Sequence, residues 1–154
     1  MNSIGIEIEK AKKLSSKLNE LLANYQIFYM NVRGFHWNIK GRDFFELHVK
    51  FEELYDSLVI KVDEIAERVL TLEGKPVHAF SEYIKIAEVE EVKDVSNGAE
   101  AVRSILDTYK LIISMQREIL DLAGDAGDEG TSALMSDYIR EQEKEVWMYN
   151  SFLS

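Results

Sequence analysis

Four long stretches repeat apolar residues every three or four positions, and a single proline, Pro76, stands among the 154 residues. That repeat is the period of amphipathic helices, and the near absence of proline lets each stretch run unbroken. The first carries Leu14, Leu18, Leu21, Tyr25, Phe28 and Val32, and the second Phe44, Leu47, Phe51, Leu54, Leu58, Val62, Ile65 and Val69. The third carries Val102, Ile105, Tyr109, Ile112, Gln116 and Ile119, and the fourth Met135, Tyr138, Gln142, Val146, Tyr149 and Leu153. The pattern predicts an all-α chain whose four helices pack into one bundle. With 46% apolar residues, a chain of this length can bury a core as one domain over 1–154.

The connections sharpen the topology. A turn near Gly41 makes the first two helices an antiparallel hairpin, and Asp43 followed by Glu46 reads as a capping box with Asp in place of Ser or Thr. Glycines 124, 127 and 130 mark a short link between the third and fourth helices. From Glu73 to Ser96 the connection is too long for a hairpin, and its segment Tyr83, Ile84, Ile86 and Ala87 predicts a small helix. The expected architecture is a ferritin-like four-helix bundle with a long crossover, holding a short helix, between helices two and three.

Charge and composition narrow the chemistry. With 28 acidic and 18 basic side chains the formal charge is −10, which favours cations over phosphate backbones or anionic lipid. There is no cysteine, so disulfides, thiolate zinc sites, iron–sulfur clusters and cysteine nucleophiles are excluded, and His, Asp and Glu remain as metal ligands. MNSIGIEIEKAKK lacks the apolar run of a signal peptide, and no segment approaches the roughly twenty apolar residues that span a bilayer. A soluble cytoplasmic protein is expected.

The informative constellation is His36, His48, Glu52, Asp63 and Glu67. At about 100° per residue the last four share roughly 100° of arc on one side of the second helix. That face also carries Phe45, Val59, Ile60 and Leu70, which implies a second buried contact, with another subunit. His48 and Asp63 lie about 22 Å apart along the helix, so one metal cannot touch both within one chain. Two copies of the helix packed antiparallel across a twofold would bring the His48 end of one to the Asp63 and Glu67 end of the other. His36 can join His48 through the Gly41 turn. Two imidazoles and two carboxylates with open positions suit Fe(II), and zinc or manganese also fit. Each residue taken singly has a plainer use: a histidine capping helix carbonyls, or a carboxylate pair on a solvated face beside Arg68 or Lys61.

The segment FHWNIKGRDFFELHVKFEELYDSLVIKVDEIAERVLTLEGKP closely resembles the signature of the Dps family, mini-ferritins of starved or oxidatively stressed bacteria and archaea. The resemblance rests on the His-Trp pair, a second His twelve residues on, and Asp-x-x-x-Glu inside DEIAER fifteen residues beyond that. Weaker similarity extends over both terminal helices, including GDEGTSALMSDYIREQEKEVWMYNSFL. It implies a hollow dodecamer that oxidises Fe(II), typically with hydrogen peroxide, with dioxygen the other candidate oxidant, and stores ferric mineral. His36, His48, Asp63 and Glu67 would be ferroxidase ligands. Glu52 stands where the family commonly has Asp and would act directly or through water. Trp37 would donate an electron during peroxide reduction, or serve simply as core packing. No E-x-x-H motif occurs, so the chain does not read as a di-iron protein with its centre inside one bundle.

The acidic run Glu118, Asp121, Asp125, Asp128 and Glu129, with no basic residue between 118 and 130, resembles the family's pore segment. Asp125 and Asp128 are the pore candidates that would concentrate Fe(II). The plainer reading is a solvated loop, with Asp128 and Glu129 favourable at a helix N-terminus. Lys10, Lys12, Lys13 and Lys17, offset by Glu7 and Glu9, give weak or absent DNA binding. The alternatives to an iron-oxidising cage are a non-catalytic sequestering protein and a DNA-compacting assembly.

Overall fold

The computed structural model describes all 154 residues and contains five helices and no strand: α1 (Ile8–Asn38), α2 (Phe44–Thr71), α3 (Phe80–Ile86), α4 (Gly98–Ala126) and α5 (Glu129–Leu153). The four long helices form the bundle, with α1 against α2 and α4 and with α4 against α5. The short α3 lies in the crossover and packs on α1. No helix is long and apolar enough to cross a membrane.

The predicted stripes are the core. Leu14, Leu18, Leu21, Tyr25, Phe28 and Val32 from α1 are buried together with Phe51, Leu54, Leu58 and Ile65 from α2 and Val102, Ile105, Tyr109 and Ile112 from α4. Inside this apolar core, Tyr25, Gln116 and Gln142 close a three-membered hydrogen-bond ring. The Tyr25 hydroxyl donates to Gln116 Oε1 (2.5 Å), Gln116 Nε2 donates to Gln142 Oε1 (2.7 Å), and Gln142 Nε2 donates to Tyr25 Oη (2.7 Å). Each member donates and accepts once within the ring, which is how polar groups are tolerated in a dry interior. Burial pushes the Tyr25 phenol far above its ordinary range, so it stays neutral.

Three asparagines on α1 hold the long crossover. Asn24 Oδ1 accepts from the backbone N–H of Glu88 and of Val89 (both 2.9 Å), Asn31 bonds the backbone at Glu90 and Val92, and Asn19 bonds it at Lys75 and Val77. Irregular backbone laid on a helix has polar groups that need partners, and these amides supply both donor and acceptor.

The helix ends differ partly from expectation. Asp43 stands at the start of α2 with φ −96° and ψ 19°, outside the extended conformation of a capping residue, and its side chain makes no capping bond. The capping box is therefore not formed. Of glycines 124, 127 and 130, only Gly127 makes the turn between α4 and α5: its φ of +67° ends α4 in the left-handed region. Gly124 remains helical, and Gly130 leaves room for Arg68, whose guanidinium would lie 2.7 Å from an added Cβ.

Candidate metal centre

The end of α1 and the start of α2 bring His36 and His48 face to face, with ring centroids 3.8 Å apart and planes 11° from parallel. Their backbone bonds are reciprocal. His36 Nδ1 donates to the carbonyl of His48 (2.6 Å), and His48 Nδ1 donates to the carbonyl of His36 (2.8 Å). A carbonyl can only accept, so each Nδ1 carries a proton, and the tautomer this selects is the one that leaves Nε2 to bind a metal. This is the arrangement that orients a histidine for a metal. Phe44 stacks on the outer face of His48 (4.9 Å), and Tyr55 meets His36 edge-on (5.3 Å). Glu52, one turn after His48, puts Oε1 3.7 Å from His36 Nε2, which places it with the histidines.

Asp63 and Glu67 form the other half, four residues apart and both exposed. The charge of Asp63 and a hydrogen bond shared with it raise the Glu67 carboxyl above its ordinary range. The nearby cations are engaged elsewhere. Lys61 Nζ lies 2.7 Å from Glu141 of α5 and donates to Ser57, while Arg68 Nη2 lies 2.6 Å from Asp128. A paired carboxylate site with no cation of its own favours an incoming divalent ion over the repulsion it replaces.

The two halves stay apart, and no three His, Asp or Glu side chains within the chain converge as a metal would need. Between and beside them on α2, Phe45 is 81% exposed, Val49 55%, Val59 45%, Ile60 61% and Leu70 56%. Apolar exposure of that extent along one helix face marks a surface that seeks a partner.

Trp37 is 59% exposed, so it is no core residue, and its ring neighbour is the Arg33 guanidinium at 5.0 Å. Arg33 and Tyr55 escaped the sequence reading, although Arg33 precedes His36 by three residues and Tyr55 follows His48 by seven. Helical spacing alone put them near the histidines.

The acidic segment divides. Asp121, Asp125 and Glu129 are exposed, whereas Asp128 is only 2% exposed. Asp128 caps α5: Oδ1 accepts from Thr131 N–H (3.0 Å) and from Arg68 Nη2, and Oδ2 accepts from the Thr131 hydroxyl (2.5 Å). In this chain its carboxylate is thus turned inward, not toward a channel, as a helix N-terminus attracts it to be. Two of the N-terminal lysines reach this region, Lys17 pairing with Glu20 and Glu118 (both 3.4 Å) and Lys10 donating to the Asp125 carbonyl (3.1 Å). Lys12 pairs with Glu9 at 3.3 Å.

Residues 15–154 match the ferritin-like domain family. The chain is 44% identical over 148 residues to the DNA protection during starvation protein of Porphyromonas gingivalis, covering 96% of this chain and 93% of that one. Its fold superimposes on the crystal structure of Dps from Vibrio cholerae, described as a ferritin-like diiron-carboxylate protein, with a TM-score of 0.99 and 55% identity over 100% of this chain and 97% of that one. Dps from Staphylococcus aureus gives a TM-score of 0.90 at 33% identity, with coverage of 93% and 96%.

Proposed function

Because the chain belongs to the Dps family of ferritin-like proteins, we propose that it oxidises Fe(II), with hydrogen peroxide as the oxidant, and stores the ferric product inside a cytoplasmic dodecameric cage. The observation that carries this reading is the division of one α2 face into two incomplete and complementary halves. The histidine end offers two oriented Nε2 lone pairs with Glu52 beside them, and the Asp63 and Glu67 end offers carboxylates without a cation. The exposed apolar residues between them are the surface over which a second α2 packs antiparallel. Two identical sites per twofold interface result.

At each site the Nε2 atoms of His36 and His48 and the carboxylates of the partner subunit's Asp63 and the partner subunit's Glu67 hold the iron that is oxidised. Glu52 binds directly or through water. Zinc or manganese would occupy the same donors without turnover. An arriving cation offsets the Asp63 charge that raises the Glu67 carboxyl, so both carboxylates can face the metal as anions. The reciprocal carbonyl bonds keep both imidazoles in one tautomer throughout. Asp125, exposed near the end of α4, draws Fe(II) toward the interior.

His48→Ala removes a ligand and little core volume, so the assembled mass should be unchanged while peroxide-driven Fe(II) oxidation falls at least about a hundredfold, the scale on which ligand-shell losses are felt. Metal retention by the wild type with no oxidation faster than buffer would instead identify a sequestering protein. DNA has little to hold: Lys10, Lys12 and Lys17 are engaged with acidic neighbours or a carbonyl. No gel retardation is expected at near-physiological salt, and a clear shift there would overturn this charge argument.

A further inference from the structure

The side chain that links Trp37 to the histidines is cationic. The Arg33 guanidinium carbon lies 5.0 Å from the Trp37 ring centroid and 4.6 Å from that of Tyr55, and Tyr55 in turn meets His36 at 5.3 Å. Arg33 Nη1 donates to the Tyr29 hydroxyl (2.7 Å), and its buried Nε has no hydrogen-bond partner. Beside that hydroxyl bond, the charge lies against the rings of Tyr29, Trp37 and Tyr55. A cation is attracted by the electron-rich face of a neutral ring, and that attraction turns to repulsion once the ring loses an electron.

We propose that Arg33 is a positioning residue for electron transfer, holding Trp37 and Tyr55 against premature oxidation. This rests on the ferroxidase reading. Hydrogen peroxide takes two electrons and two protons to become two waters. When a site holds one Fe(II), that ion supplies one electron on becoming Fe(III). The indole of Trp37 supplies the other and becomes a radical cation, and both protons come from solvent. With Arg33 over the ring that electron is harder to withdraw, so weaker oxidants take it more slowly from the exposed indole.

The test uses assembled, metal-free protein with Trp147→Phe, which leaves Trp37 as the one indole. A flash-generated ruthenium(III) polypyridyl complex oxidises it, and the indole radical absorbance gives the rate. Arg33→Met and Arg33→Gln, neutral and of different shape, should each oxidise about fivefold faster than the parent, the change matching loss of one partly exposed cation–π contact. Unchanged rates in both would overturn the proposal. A second arm adds substoichiometric Fe(II) and peroxide and follows loss of indole fluorescence, expected to be greater per turnover in both variants. If the flash rates rise while peroxide and iron leave the indole untouched, the effect of Arg33 stands and the donor role of Trp37 falls.

Discussion

Arg68→Met should destabilise the protein by about 3 kcal/mol, the lower end of what is lost when one partner of a buried ion pair is removed. The Asp128 side chain is 1% exposed and that of Arg68 19%, so the carboxylate left behind could not recover its hydration. Thr131 would still donate through its backbone N–H and hydroxyl, but two neutral donors do not replace a guanidinium. Arg68 Nε also bonds the Thr131 hydroxyl (2.9 Å), so the loss loosens the start of α5 from the end of α2. Adding Asp128→Asn to Arg68→Met should recover about half of the loss, because an amide carbonyl still caps Thr131 while the unpaired charge is gone. Guanidinium unfolding at fixed protein concentration measures both variants. A single-variant loss under about 1 kcal/mol, the range of an exposed pair, would show that this contact behaves as a surface salt bridge.

Much of the bundle was legible because burial and helical period coincide. The same reasoning set Gln116 and Gln142 in the core-facing series, yet their ring with Tyr25 depends on residues 91 and 117 positions away, a distance no local pattern reports. The asparagines of α1 that satisfy the crossover were invisible for the same reason. Asp43 and Asp128 show the limit from both sides. Each precedes a helix, but the Asp43 side chain makes no capping bond, whereas Asp128 caps Thr131 and meets Arg68, 60 residues distant. Sequence marks where a cap is favourable, and the backbone conformation at that residue decides whether one forms.

At the candidate site, the spacing of His36, His48, Glu52, Asp63 and Glu67 was legible from helix geometry, including that one chain holds two separated halves. The reciprocal Nδ1 bonds were not, since they depend on how two helix ends meet at the Gly41 turn. Nor was the diversion of Lys61 and Arg68 toward α5, which leaves Asp63 and Glu67 without a cation.

Sharing of the site between subunits is tested most directly by co-assembling His48→Ala chains with Asp63→Ala chains, each of which should be nearly inactive alone. In a mixed twofold pair one site receives both damaged contributions, while the other joins the intact His48 of one chain to the intact Asp63 of the other. With equal amounts and random pairing, half of the interfaces are mixed and each restores one of its two sites. About a quarter of wild-type ferroxidase activity should therefore return. Cages verified as mixed that remain as inactive as their parents would contradict a shared site.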